Sequence, residues 1–293
     1  MPSRILHYLE HTVAEWRSLK NVISGGQEDW LPNPEPQLPL AGRTHRGLSS
    51  RSINQDGIAF FASGNNRLVL IAADGIGGAP GGETASALLL LTVVSQLTRI
   101  RSLRRIFQYL VPAAFEEFHR KSLKQGNSPL ETSSMGTTYA AVDIRSDFAH
   151  VYHQGDTKAV HIRNGHVVSE TLDHTLEQEL RLRGNTNVPA RARHIVTSCV
   201  SLVHGLPRKM QPVTKNRWIL DNDDWIILGT DGLFDVLDAA EVATITNSFS
   251  TPSQVVYALD TCVRMLVEKG AKDDNVSIIA YQHKCDTPAF VVE

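Results

Sequence analysis

The chain has 293 residues, 42% of them hydrophobic and 20% charged, with a formal net charge of -2. That length can bury one sizeable core plus a short appendage, and the near-neutral balance gives no bulk electrostatic case for nucleic acid or an anionic membrane. Three widely spaced cysteines, Cys199, Cys262 and Cys285, suit a reducing compartment better than a disulfide framework.

In chain order, Ile5, Leu6, Leu9, Val13, Trp16 and Leu19 recur at steps of three and four, which predicts an amphipathic helix over Ser3 to Ile23. Pro32, Pro34, Pro36 and Pro39 then fix an extended segment. This appendage either straps back onto the main domain or docks a partner through residues 3–23. Arg4, His7 and Glu10 break up the first ten residues, where a secretory signal would be apolar. The longest apolar run, Ala85 to Val94, is too short to span a bilayer. The expected location is the cytoplasm.

Strands are predicted at Ile58–Ala62 and Leu68–Ala73, joined by a Ser63-Gly64-Asn65-Asn66 turn. Helices follow over Gly82–Thr98 and Ser102–Gln125. Strands Thr137–Asp143 and Phe148–Gln154 turn around Arg145-Ser146, and a hairpin from Lys158 to Val168 turns at Asn164-Gly165, the strongest short hairpin signal. A short helix is predicted over Asp173–Gly184. Trp218–Leu220 and Trp225–Leu228 are read as another hairpin, helices cover Asp238–Asn247 and Pro252–Lys269, and Val276–Tyr281 is the last strand. Antiparallel pairs interleaved with helix pairs argue for an α+β fold, stacked sheets with helices outside.

Acidic residues mark the strand ends. Asp74-Gly75 closes one apolar strand and Asp231-Gly232 follows another; Asp56 precedes a third and Asp273-Asp274-Asn275 a fourth. If strands of two sheets bring these ends to one edge, the carboxylates repel unless cations neutralise them. Oxygen ligands of this kind suit Mg²⁺ or Mn²⁺. Glycine after the aspartate lets the backbone carbonyl come close enough to join the coordination.

The ordered set, Arg51-Ser52-Ile53-Asn54-Gln55-Asp56, Asp74-Gly75-Ile76-Gly77-Gly78, Met135-Gly136-Thr137-Thr138, Gly155-Asp156-Thr157-Lys158, Asp173-His174-Thr175, Thr230-Asp231-Gly232 and Asp274-Asn275, resembles the metal-dependent protein phosphatases, the PPM or protein phosphatase 2C family. The resemblance runs from about Arg43 to Gln282. It implies a four-layer α-β-β-α sandwich with two central antiparallel sheets flanked by helix pairs. The domain boundaries it suggests are 1–42 for the amphipathic helix and linker, 43–283 for the catalytic domain and 284–293 for a tail.

By the same resemblance, Asp74 bridges two Mn²⁺ or Mg²⁺ ions and the Gly75 carbonyl binds one of them. Asp231 and Asp274 complete the other site, Asp56 holds metal-bound water, and Arg51 binds the phosphate. Two such ions, roughly 3.5–4 Å apart, activate a shared water as the hydroxide that attacks phosphorus. Asp156 matches a ligand for a third ion, although an aspartate after a strand is as readily a turn cap. The implied activity is that of a serine/threonine protein phosphatase hydrolysing phosphomonoesters on a phosphorylated protein and opposing a Ser/Thr kinase. The alternatives are a pseudophosphatase or regulatory binding module, and a hydrolase of small phosphoesters.

Two departures stand out. Ile76 occupies the place of a histidine that some family members carry as general acid. Asp273 replaces a basic residue before the final Asp-Asn, and either tightens metal binding or lies outside the first shell. Arg181, Arg183, Arg191 and Arg193 sit in the expected flap, either as a solvated face or as an attraction for phosphate. His150, His153 and His161 alternate with strand period and are assigned no role.

Overall fold

The computed structural model describes residues 22–23, 29–30, 39–48, 51–63, 67–76, 81–126, 134–203, 206–207 and 214–285. The apolar run that ends at Asp74 is β5 (Arg67–Gly75), and it is buried on both faces. Val69, Ile71 and Ala73 point to one side and pack under helices; Leu68, Leu70 and Ala72 point to the other and pack against a second sheet. The two-residue period of a strand divides a continuous apolar sequence between two cores.

Around β5 lies the first sheet. In chain order it contains β1 (Val22–Ile23), β4 (Asp56–Ser63), β5, β6 (Gly136–Arg145), β7 (Phe148–Gln154), β10 (Val200–Val203), β11 (Leu206–Pro207) and β12 (Thr214–Ile219). The order β1-β4-β5-β6 is antiparallel throughout, and β6 then serves two neighbours: Tyr139–Arg145 pair with β7, extended by β12, and Gly136–Thr137 pair with β10, extended by β11. The second sheet runs β2 (Asp29–Trp30), β3 (Leu40–His45), β14 (Val276–Gln282), β13 (Trp225–Gly229), β8 (Lys158–Arg163) and β9 (His166–Glu170), again antiparallel.

Helices cover both outer faces. α1 (Gly82–Leu97), α2 (Leu103–Arg105), a π turn (Ile106–Leu110) and α3 (Val111–Lys124) lie on the first sheet. α6 (Ala239–Thr246) and α7 (Pro252–Glu268) lie on the second, while α4 (Leu176–Leu182) and α5 (Asp231–Phe234) flank the sheet edge. The expected α-β-β-α sandwich is therefore present, with its middle core made by Ile58, Phe60, Leu70 and Val142 against Ile226, Leu228, Ile279 and Tyr281.

Local sequence explains the starts and turns. Asp238 and Glu241 form a reciprocal capping box on α6, and Thr251 caps α7 ahead of Pro252. Asn164 and Gly165 both adopt positive φ, 51° and 74°, as a two-residue turn between β8 and β9 requires.

Two expectations change. Val22 and Ile23, expected as the end of an amphipathic helix, are a strand paired with Ala59 and Ile58 of β4; the rest of that helix and Pro32, Pro34 and Pro36 lie outside the described residues. β1 lies at the edge of the first sheet and β2 at the edge of the second. Trp218–Leu220 and Trp225–Leu228 do not form a hairpin. β13 already has β8 and β14 on its two sides, so β12 pairs with β7 in the opposite sheet. The turn between them crosses the sandwich, anchored by buried Asp224, which accepts from the Asp221 amide and from Arg163, and pairs with His161 at 2.7 Å.

The boundary drawn at 42/43 falls inside β3. β3, β10 and β11 went unread in the sequence, and the Ser63–Asn66 turn lies partly outside the described residues, although the strands it joins pair from Asp56↔Asp74 to Ser63↔Arg67.

Candidate active site

One edge of the sandwich collects the acidic strand ends. The register places Asp56 of β4 directly opposite Asp74 of β5, with Thr138 of β6 on the far side. In the second sheet, Asp231 follows β13 and Asp274 precedes β14, and these strands are antiparallel neighbours, so the two aspartates emerge together. Arg51, Gln55, Asp74, Gly75, Ile76, Asp156, His194, Asp231, Lys272 and Asp274 share a hollow of about 320 Å³. Asp56 lies just behind its wall with no solvent exposure.

Each group is fixed by its backbone setting. The Asp56 carboxylate accepts from Thr230 Oγ1 at 2.7 Å through Oδ2, while its Oδ1 is buried without a hydrogen-bond partner. Thr137 Oγ1 donates to the Asp74 carbonyl at 2.8 Å. A side chain at Gly75 would collide with the Gly82 carbonyl oxygen, so the close approach of loop and strand requires glycine there. Asn275 explains its own place in the motif. Its amide donates to the carbonyls of Arg46 and Ile53, and its Oδ1 accepts from the Gln55 amide at 2.9 Å. These three bonds staple the Arg51 loop to the start of β14. Arg51 in turn donates to Asp274 Oδ2 at 2.9 Å, its charge held at the hollow's wall.

The electrostatics are strained toward cations. Burial, together with Asp231 and Asp274, pushes the Asp56 carboxyl up to about 7, and burial with Asp231 does the same for Asp156. Asp74 is raised well above the ordinary carboxylate range by desolvation and by Asp231, Asp56, Asp156 and Asp274. Groups that pack this closely either hold protons or need a counter-charge. Among the described residues no three carboxylate, imidazole or thiol groups form a finished cation cage; Asp231, Asp235 and Asp274 turn their oxygens onto Lys272. The donor set still fits a hard divalent ion. It is all oxygen, it includes the unpartnered buried Oδ1 atoms of Asp56 and Asp156, and it meets a glycine carbonyl that no larger residue could present.

Several open points resolve in the geometry. Asp273 Oδ1 accepts from the Leu48 amide at 2.9 Å, so its carboxylate shapes the Arg51 loop. Arg181 and Arg183 pair with Glu177 and Glu179 on their own helix, as a solvated face does. Arg193 is different, reaching Asp235 at 2.9 Å and tying the flap to the site. Beside the hollow a second cavity of about 610 Å³ is lined by Asp156, Glu170, Asp173, Arg181, Arg193 and Asp235, among others. Asp156 and Asp231 border both spaces. His153 is buried, bonded to the Leu172 carbonyl and stacked on His174, and His161 is paired with Asp224, so both are structural.

Sequence reading missed Lys272 and His194. Lys272 stands two residues before Asp274, but nothing in a Gly-Ala-Lys-Asp-Asp loop says which way it points. His194 comes from a 3-10 turn (Ala190–His194) in the flap, and the bridge between Thr175 and Val196 brings it to the hollow.

The sequence profile described as protein phosphatase 2C matches residues 41–275. The chain belongs to the protein phosphatase 2C family. Its relatives include protein phosphatase PhpP of Streptococcus pneumoniae, 26% identical over 68% of this chain and 80% of that protein. Serine/threonine phosphatase stp of Listeria monocytogenes is likewise 26% identical, over 72% of this chain and 84% of its own length. Among solved structures, the S. agalactiae serine/threonine phosphatase superposes with a TM-score of 0.65 at 26% identity, covering 83% of this chain and 99% of that one. The catalytic domain of PstP, solved in complex with two manganese ions, shares the fold with a TM-score of 0.64 at 22% identity, covering 83% and 97%. As a family member this phosphatase hydrolyses phosphoproteins and depends on a divalent metal.

Proposed function

We propose that this phosphatase removes phosphate from phosphoserine and phosphothreonine in proteins, with two Mn²⁺ or Mg²⁺ ions held by Asp74, the Gly75 carbonyl, Asp231 and Asp274. The observation that carries the reading is the convergence of those donors with Arg51 in one hollow at the joined sheet edges. Bound divalent ions supply Lewis acidity toward phosphoryl oxygens and lower the pKa of water.

The chain's own residues do the rest. Arg51 presents a guanidinium fork that can exchange Asp274 for two phosphate oxygens, offsetting charge as the leaving oxygen departs. Asp56, buried behind the hollow with one free oxygen, orients a water from the rear. Asp156 borders the neighbouring cavity and suits a third, weaker ion. Ile76 offers no proton, so protonation of the leaving oxygen falls to water. The overall balance is a phosphomonoester plus water giving the protein hydroxyl and inorganic phosphate. The same reading sets the protein against a Ser/Thr kinase in a cytoplasmic signalling circuit, with residues 3–23 as a docking element. Among the described residues no helix is long and apolar enough to cross a membrane.

The test is turnover of phosphoserine and phosphothreonine peptides beside small phosphoesters, using protein stripped of metal and then titrated with Mn²⁺. Mn²⁺-dependent release from the peptides supports the reading. Turnover of small phosphoesters alone, or turnover indifferent to metal, overturns it.

A further inference from the structure

Lys272 pairs with both Asp231 and Asp274, two of the aspartates assigned to a divalent ion, and Asp274 also accepts from Arg51. Its Nζ lies 2.8 Å from Asp231 Oδ2, 2.9 Å from Asp235 Oδ2 and 3.1 Å from Asp274 Oδ2. An ammonium has three N–H donors and no acceptor, so three carboxylate oxygens satisfy it completely. Two of those oxygens belong to Asp231 and Asp274, the pair assigned to a divalent ion. A divalent ion held through the same oxygens would sit beside the ammonium, and like charges so close repel strongly where water is scarce. One of the two has to go.

The side chain has somewhere to go. Lys272 is 37% exposed and stands on the loop between α7 and β14, with its four-carbon stem free to swing toward solvent. Without any cation, Asp231 and Asp274 would face each other at full repulsion; with Lys272 in place the loop that carries Asp274 stays folded against α5. The lysine therefore stabilises the metal-free edge and opposes its loading.

We propose that Lys272 is a resident counter-ion, holding Asp231, Asp235 and Asp274 in the metal-free protein and displaced toward solvent when a divalent ion binds through Asp231 and Asp274. This rests on the reading of that edge as a divalent-metal centre. Its consequence is a second site weaker than its oxygen ligands alone would make it, filled only when the free divalent ion is abundant, so that occupancy rather than folding sets the active fraction.

Calorimetric titration of Mn²⁺ into metal-stripped protein tests it, with Lys272→Met to remove the charge at similar length and Lys272→Arg to keep it. The expected result is two binding events in the parent, the weaker of them tightened about tenfold or more by Lys272→Met and little changed by Lys272→Arg. The metal-free Lys272→Met protein should melt below the parent and gain more from Mn²⁺. Because that variant could fold poorly, the parent is also treated with an amine-reactive ester with and without Mn²⁺, and Lys272 is quantified by peptide mass spectrometry. Labelling should rise several-fold with the metal. Mn²⁺ binding with unaltered affinity in Lys272→Met, or labelling of Lys272 that ignores Mn²⁺, overturns the counter-ion role and leaves the metal centre intact. A parent that binds no Mn²⁺ overturns both.

Discussion

Asp74 is tied to its place from both sides, by register with Asp56 and Thr138 and by the Thr137 hydroxyl on its carbonyl. Replacing it with asparagine keeps that backbone and removes one negative charge from the centre of the cluster. Asp74→Asn should lower Mn²⁺-dependent phosphopeptide turnover by at least about 10²-fold, the loss of several kcal/mol of metal-borne charge stabilisation, while its circular dichroism stays native. Asn275 acts at one remove. Its three bonds hold the Arg51 loop, so Asn275→Ala should raise KM for phosphopeptide by about tenfold, roughly 1.4 kcal/mol, with Mn²⁺ affinity measured by calorimetry unchanged. A variant that lost metal binding instead would show that the staple serves Asp274 and not Arg51.

At the scale of elements, the link between β3 and α7 is a buried carboxylate with three cationic or imidazole neighbours. Asp260 pairs with Arg43, lies 2.6 Å from His45 Nε2 and is reached by Arg264 at 3.0 Å. Burial works to raise its pKa, but the His45 bond and the charges of Arg43 and Arg264 outweigh it and hold the group below the ordinary aspartate range. The stabilisation is therefore complete above the unfolded value of about 3.9 and lost as the pH falls below it. Asp260→Asn should cost about 3 kcal/mol at neutral pH, roughly 6–10 °C of melting temperature, and the gap from the parent should close in acid. Equal melting temperatures at pH 7 would sink this account. The same helix continues into the loop bearing Lys272 and Asp274, so this anchor also sets where the site's second half begins.

For the molecule as a whole, acid sensitivity above the carboxylate range should come from imidazoles folded in uncharged. His153 is 2% exposed, and burial lowers its pKa to about 4. Between an unfolded value of about 6.5 and that figure the unfolded chain binds the extra proton, so stability falls as the pH falls through this window. In metal-free protein Asp56 and Asp156, pushed up to about 7, add stability as the pH falls over the same range. The His153 share, a loss of about 2 kcal/mol between pH 7 and pH 5, is therefore read as the difference between parent and His153→Gln in urea unfolding at the two values. His153→Gln, which can still donate to the Leu172 carbonyl, should end about 2 kcal/mol more stable relative to the parent at pH 5 than at pH 7; a parent-minus-variant difference that does not change with pH would assign the sensitivity elsewhere.

Patterns that are local or periodic were legible in the chain itself. The apolar runs at Leu68–Ala73 and Val276–Tyr281, the Asn164-Gly165 turn and the capping residues before α6 and α7 each carry their conformation in neighbouring residues, so strands, helices and the sandwich followed. The spacing of Arg51, Asp56, Asp74, Asp231 and Asp274 also carried the family resemblance, because their residue types and their order along the chain are written in the sequence itself. What only the tertiary structure decided depends on partners distant in sequence. β12 leaves β13 for the other sheet because β13 is already flanked, and Val22–Ile23 become a strand because β4 has an open edge. Asp273 turns to the Leu48 amide, and Lys272 turns to three aspartates. A side chain's direction in a loop is set by the charges it meets after folding, and no period in the sequence records it.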